Sequence, residues 1–382
     1  MDYLGNVLIR SDMNVPVSNS IVVDDYRLEK AVEVIPLIRD RSRSVTFISH
    51  LGRPKSYIED LSLKNIVSSL SKYTSEEVQF LNHINHDEIS KILLSSNEFN
   101  IYLLENLRFY KGEVNNDTSF AIKVASSFDT YIFDAFGSAH RKHASVVKIG
   151  NYLNSYQGPL IDKEISELKS ITDPDGEPFT LILGGSKISD KLQLIKSLLP
   201  KVDTLLIGGA MCFTFFKAMG KNIGDSLYEE DMIGECKKII QSKNFTKIKL
   251  PLDIGVTDSL ESINRRDVSH EEIYDNNIGI DIGNRTVELF SDFINKAKII
   301  FWNGPMGIFE KDSFNNGTRA ITRLVQNTEA HTIIGGGDTV SAIRKFGDID
   351  LFNYVSTGGG ASLEYLEGKE LPGINKYPSL II

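Results

Sequence analysis

The feature that most narrows the fold is a repeating unit in which a short apolar run stops abruptly at a glycine or polar cluster. It occurs at Val7–Ile9, Val45–Ile48, Ile101–Leu104, Tyr131–Phe133, Leu181–Leu183, Leu205–Ile207, Ile299–Trp302 and Thr332–Ile334. Runs this continuously apolar suit strands buried on both faces. Many gaps between them carry helical spacing. In Lys191–Leu199, for example, Leu192, Ile195, Leu198 and Leu199 share one side, Ser189 is placed as the N-cap, and Pro200 is the stop. Strands alternating with helices predict an α/β chain with doubly wound parallel sheets. Ligands of such sheets bind beyond the carboxyl ends of the strands, so the residues after each run hold the clues to chemistry.

A chain of 382 residues is long for one core, and two lobes are expected. The stretch 157–172 lies between Gly158-Pro159 and the turn cluster Asp173-Pro174-Asp175-Gly176. It reads as a connecting helix, with one lobe at 1–156 and a second beginning at 173. The strand ends of the two lobes differ in kind. In the first they are polar and rich in cations: Arg10, Asp12 and Asn14; His50, Gly52 and Arg53; Glu105, Asn106 and Arg108; Asp134, His140, Arg141 and His143. Arg27 falls in the first turn of a helix beginning after Asp24 and Asp25. Arginine suits forked contacts with carboxylate and phosphate, so this edge is expected to bind a small polyanion.

In the second lobe the strand ends carry glycine: Gly184-Gly185-Ser186-Lys187, Gly208-Gly209, Asn303-Gly304-Pro305-Met306-Gly307, Gly335-Gly336-Gly337-Asp338-Thr339 and Gly358-Gly359-Gly360. A turn without side chains lets N–H groups approach an anion, and a helix N-terminus adds roughly half a positive charge. Thr339 can add a hydroxyl, Asp338 can hold a phosphate-bound Mg²⁺, and Glu310 can accept from ribose hydroxyls. Lys187 and Lys191 are four apart and share a face if their helix starts early. Together these features predict a nucleotide site. Neither GxxxxGK[ST] nor GxGxxG with a later acidic residue occurs, which sets aside Walker-type ATPases and weakens a dinucleotide-binding reading.

Composition excludes other classes. Hydrophobic content of 41% and charged content of 24% are those of a soluble globular protein. No run approaches the roughly 20 apolar residues of a membrane span. MDYLGNVLIRSD does not read as a signal peptide, and a cytoplasmic location is expected. A net charge of −9 argues against nonspecific nucleic-acid binding. The two cysteines, Cys212 and Cys236, read as buried filler in a reducing compartment. Phe213, Phe215 and Phe216 read as core, and His83 and His86 as surface residues.

The dispersed motifs resemble those of phosphoglycerate kinases: RSDMNVP (Arg10–Pro16), DDYR (Asp24–Arg27), SHLGRPK (Ser49–Lys55), LLENLRF (Leu103–Phe109), DAFGSAHRKHAS (Asp134–Ser145), LGGSKISDK (Leu183–Lys191), IGGAM (Ile207–Met211), WNGPMGIFE (Trp302–Glu310), GGGDT (Gly335–Thr339) and STGGGASLEYLEGKELPG (Ser356–Gly373). The resemblance implies two Rossmann-like lobes around a cleft, the second spanning 173–365, with a tail at 366–382 returning to the first lobe. It implies a monomer that closes about the hinge at 157–176 and transfers a phosphoryl group reversibly between 1,3-bisphosphoglycerate and ADP, giving 3-phosphoglycerate and ATP.

It further implies that Asp12, Met13, Asn14, Arg27, His50, Leu51, Gly52, Arg53, Arg108 and Arg141 bind the phosphoglycerate. Lys187, Lys191, Asn303, Glu310, Gly336, Gly337, Asp338 and Thr339 bind ATP or ADP, Asp338 holds Mg²⁺, and Arg27 and Lys187 serve catalysis. Phe133 stands where the family usually has Asn, and Asn284 where it usually has Pro; both ends of the chain also differ from the common pattern. A nicotinamide-dependent dehydrogenase and a non-catalytic anion-binding protein are the competing readings. The first lacks its glycine fingerprint, and the second has no use for Lys187, Lys191 and the GGGD loop.

Overall fold

The computed structural model describes residues 3–18, 20–95 and 98–380. Met1, Asp2, Ile381 and Ile382, part of the departures at the chain ends, lie outside the described residues. The chain divides into two compact units, Met1–Ile165 with Glu370–Ile382, and Ser166–Lys369. The division falls inside the helix Pro159–Thr172.

The first unit is built on six parallel strands in the order Val78–Leu81, Asn100–Leu104, Ser42–Ile48, Gly5–Ser11, Thr130–Asp134 and Asn154–Gln157. The second carries six parallel strands in the order Ile248–Lys249, Thr204–Ile207, Phe179–Leu183, Ile299–Asn303, His331–Gly335 and Tyr354–Val355. All eight apolar runs lie in these strands. Their side chains are nearly all excluded from solvent, as parallel sheets covered on both faces require. In the second sheet the chain starts at Phe179–Leu183, builds outward to one side, then returns to build the other side from Ile299–Asn303. That reversal opens the crevice where ligands bind.

The antiparallel sheet of Arg266–Ser269, Asp253–Thr257 and Ile278–Ile282 lies outside the eight apolar runs. Arg-Asp-Val-Ser alternates nothing, and its strand is largely solvent-facing. Helix Leu192–Leu198 starts later than Ser189 suggests. The Ser189 hydroxyl instead donates to Glu229 Oε1 (2.6 Å), so it does not cap the helix. Lys187 therefore lies in the preceding loop, and Lys191 sits at the cap position. Cys212, Cys236, Phe213, Phe215 and Phe216 are buried, and His83 and His86 are exposed. Among the described residues no helix is long and apolar enough to cross a membrane.

Both internal departures find a local account. Asn284 opens the helix Asn284–Ile294 and donates its backbone N–H to Asp267 Oδ2 (3.1 Å), a bond that proline lacks the hydrogen to make. Asp253 holds the next two N–H groups, those of Arg285 (3.0 Å) and Thr286 (2.8 Å). Phe133 is fully buried, and a Cβ on Gly373 would lie 2.8 Å from its ring. Glycine thus lets the C-terminal segment pass closely over the ring. Beyond it, Gln157 donates its N–H to Pro378 O (2.8 Å) and accepts from Leu380 N (2.9 Å).

Asp134 closes its strand and caps the helix Pro159–Thr172, its Oδ1 accepting from the N–H groups of Leu160 (2.9 Å) and Ile161 (3.3 Å). Its Oδ2 is buried without a partner. Burial pushes the carboxyl up to about 7, and the nearby Asp162 and Glu33 add to the rise against the pull of the two N–H groups. A folded-state value above the unfolded one stabilises at low pH, and that stability is lost as pH rises from about 4 towards 7. Asp134→Asn keeps the acceptor and removes the titration. Its stability relative to the parent is expected to climb by roughly 2–4 kcal/mol between pH 4 and pH 7, then level off. Urea unfolding at a series of pH values measures this; a difference independent of pH removes the buried charge as its cause.

Candidate active site

In the first unit, the loops after three parallel strands are laced together by their own polar groups. Ser49 Oγ accepts from Met13 N (2.9 Å) and donates to Ser11 O (2.8 Å). Asn14 Oδ1 accepts from Gly52 N (2.8 Å), Asn106 Nδ2 donates to Leu51 O (2.8 Å), and Arg108 Nη1 donates to Gly52 O. Arg27, in the first turn of helix Tyr26–Val32, reaches Asp12 Oδ2 (3.1 Å) and Asn14 O (3.3 Å). Met13 and Leu51 are fully buried among the core side chains. As ligand contacts they have only backbone to offer.

The electrostatics of this edge show a surplus of cations. Burial pushes the Arg108 guanidinium down to about 10, helped by the charges of Arg10, Arg141 and Arg53. His143 is pushed down to about 4 by burial and by Arg108, Arg10 and Arg141. His50 lies well below the usual histidine range for the same reasons, in spite of Asp12. Arg10 Nη2 donates to His50 Nδ1 (3.1 Å). A guanidinium can only donate, so neutral His50 carries its proton on Nε2. Burial raises the Asp12 carboxyl, but Arg27, His50 and Arg10 together hold it below the usual range.

Arg10 itself is almost wholly buried and also bonds Ser145 Oγ (3.0 Å) and Ser138 Oγ (3.0 Å). The sequence shows it just after the apolar run Val7–Ile9; the structure puts it inside the strand Gly5–Ser11 and beneath the histidine, which the sequence does not show. Those hydroxyl partners lie 128 and 135 residues away.

In the second unit, the glycines divide into two groups. A Cβ on Gly184 would lie 2.0 Å from Pro305 O, and one on Gly304 would lie 2.3 Å from Gly184 O. These glycines let two loops pack backbone to backbone, with Gly184 N donating to Asn303 O (3.0 Å) and Gly185 N to Pro305 O (2.9 Å). By contrast, a side chain on Gly185 or Gly337 would meet nothing within 4 Å. Gly336, at φ +90°, turns strand His331–Gly335 into helix Gly337–Phe346, as the sequence reading expects.

A cleft of about 340 Å³ opens beyond these strands, lined by Gly185, Gly209, Phe213, Met306, Glu310 and Asp338 among others. Glu310 and Asp338 are exposed carboxylates on its wall. Asn303 is buried: its Oδ1 accepts from Lys191 Nζ, while its Nδ2 faces the glycine turn without a partner. Burial pushes Lys191 down to about 8, against the pull of Asp190 and Asp338. Thr339 differs from expectation. Its buried hydroxyl donates to Gly335 O (2.8 Å) and accepts from Gly304 N (2.7 Å). It fastens two loops to each other, and its backbone N–H is what it has left for an anion.

A family model described as phosphoglycerate kinase matches residues 4–369. The phosphoglycerate kinase of Rubrobacter xylanophilus is 44% identical over 374 residues, covering 97% of this chain and 95% of its own. That of Dictyoglomus turgidum is 44% identical over 372 residues, covering 96% and 94%. The structure of phosphoglycerate kinase from Coxiella burnetii matches with a TM-score of 0.85 at 36% identity, over 98% of this chain and 96% of that one. Full-length agreement in sequence and fold, with a cationic strand edge in one unit and a glycine-lined cleft in the other, leaves no room for the dehydrogenase or passive-binder readings. The chain belongs to the phosphoglycerate kinase family and has its activity, reversible phosphoryl transfer between 1,3-bisphosphoglycerate and ADP in glycolysis (EC 2.7.2.3).

Proposed function

We propose that the cationic edge of the first unit holds the phosphoglycerate and the cleft of the second holds the nucleotide. The observation that carries this division is the opposite chemistry of the two edges. Arg53, Arg108 and Arg141 crowd one another and depress their neighbours' protonation, which makes an anion the missing partner there. Asp12, Asn14, Arg27 and His50 complete that site, with His50 offering Nε2–H.

In the second unit the N–H groups of Gly336, Gly337 and Thr339 suit phosphate oxygens, Lys191 and Asn303 neutralise and orient them, and Glu310 takes the ribose. Among the described residues no group of three or more His, Cys, Asp or Glu could hold a metal ion. Asp338 alone still suits Mg²⁺, which commonly takes one or two carboxylates, substrate phosphates and waters. When bound, Mg²⁺ supplies charge neutralisation between phosphate oxygens.

For catalysis, the acceptor and donor oxygens must come within roughly 3–3.5 Å of the phosphorus. Arg27 and Lys187 supply positive charge to the transferring group, and closure about 157–176 excludes water from the acyl phosphate. The working unit is a monomer in this reading.

Trp302, the only tryptophan, tests the division of labour. Its buried indole donates to Gly304 O (2.8 Å), and Gly304 N donates in turn to Thr339. ADP with Mg²⁺ is expected to change its fluorescence, whereas 3-phosphoglycerate alone leaves it unchanged. Asp338→Ala is expected to raise the ADP midpoint at least about tenfold when Mg²⁺ is present. Emission that follows phosphoglycerate and ignores ADP overturns the assignment.

A further inference from the structure

Helix Gly337–Phe346 begins at the glycine turn and Asp338, and its last turn carries Arg344 and Lys345. Cations there complement the helix dipole, a sufficient reason for a lysine in general but not for the position of this one. Lys345 Nζ donates to Glu310 O (2.8 Å) and Phe309 O (3.2 Å) and pairs with Asp312 Oδ1 (3.0 Å). Two backbone carbonyls and a carboxylate around one ammonium fix three points of the segment Phe309–Asp312. Within that segment, Phe309 and Glu310 line the cleft. The contact is to the backbone of Glu310 itself, so it sets where the carboxylate starts from.

We propose that Lys345 is a positioning residue for nucleotide binding, and that it holds Glu310 at a fixed place relative to the phosphate turn at the other end of its own helix. The inference rests on Glu310 taking the ribose. An α-helix is stiff and rises about 1.5 Å per residue. Its ten residues therefore act as a spacer between the phosphate end and the ribose end of the site. Lys345 does not touch the nucleotide. Its effect passes through Glu310, and it should be felt only by nucleotides that have ribose hydroxyls for Glu310 to hold.

The test compares ATP with 2′,3′-dideoxy-ATP in the reaction with 3-phosphoglycerate. Lys345→Met is expected to raise KM for ATP about fivefold, with kcat and the KM for 3-phosphoglycerate within about twofold of the parent. For the dideoxy nucleotide KM should hardly move, so the parent's preference for ATP collapses. Asp312→Asn loosens the same lock from the other side and should lose part of that preference.

Glu310→Ala separates the two layers of the claim. If it abolishes the preference while Lys345→Met raises both KM values equally, Glu310 reads the ribose and Lys345 is only structural, which overturns the proposal. If Glu310→Ala keeps the preference, the ribose reading fails and the proposal falls with it.

Discussion

Lys187→Ala is expected to lower kcat by about three orders of magnitude, with the unfolding midpoint unchanged. The reason is the catalytic place proposed for its charge. In phosphoryl transfer the protein makes few covalent demands, and a cation placed against the transferring group can be worth on the order of 10³–10⁵ in rate. Lys187 is exposed in the loop between strand Phe179–Leu183 and helix Leu192–Leu198, so its removal leaves no cavity and strands no buried group.

The loop itself is anchored elsewhere. Glu229 takes the Ser189 N–H (2.9 Å) and hydroxyl (2.6 Å), two residues beyond the lysine. The charge of Lys187 also contributes to keeping the Glu229 carboxyl below its usual range, against burial and after the Ser189 bonds. The loop in the alanine variant should thus keep its course while losing its charge. Lys191 cannot substitute, because it is partly buried and committed to Asn303. Steady-state kinetics in the coupled assay with ATP, Mg²⁺ and 3-phosphoglycerate decide the matter. A kcat within tenfold of the parent takes Lys187 out of the catalytic role.

How much of this could be read from sequence depended on whether a property was local. A parallel strand buried on both faces writes itself as an apolar run, and the turn after it as glycine or polar residues, so the two main sheets and the contrast between their edges were legible. The edge strand Val78–Leu81 mixes Gln79 and Phe80 between two aliphatics, and Asn154–Gln157 is polar throughout, so neither carried a usable period.

The hydrogen-bond partners were hidden for another reason. Arg10 finds His50, Ser138 and Ser145, and Asp134 finds the helix at Leu160, only once the sheet order brings those residues together. Thr339 shows the opposite error. Its place at a helix N-terminus made its hydroxyl look available, yet a loop 35 residues earlier in the chain already uses it. Glycine was likewise ambiguous: the same residue marks an open turn at Gly337 and a backbone crossing at Gly184 and Gly304, and only the tertiary contacts separate them.

Arg27→Ala is expected to lose about three orders of magnitude in kcat and also to raise the KM for 3-phosphoglycerate. The second effect has a separate cause that can be isolated. Arg27 is the first of the groups holding down the Asp12 carboxyl, and the larger of the two guanidinium influences, ahead of Arg10. Its guanidinium lies 3.1 Å from Asp12 Oδ2, and the Asp12 side chain is 8% exposed. Removing Arg27 leaves an under-compensated carboxylate at the edge proposed for the anionic substrate, and like charges at short range repel.

The double variant Arg27→Ala/Asp12→Asn removes that repulsion. It should recover much of the KM and none of the kcat, since a neutral amide in place of the carboxylate cannot supply the positive charge that the transferring group requires. Arg27→Lys should fall between, because an ammonium restores the charge without the planar, five-donor guanidinium, whose Nη1 reaches both Asp12 Oδ2 and Asn14 O. If the double variant regains kcat as well, the loss came from the stranded Asp12 carboxylate. Arg27 would then be a residue that keeps the binding site electrostatically open, and the transition-state charge would have to come from Lys187 and the bound Mg²⁺ alone.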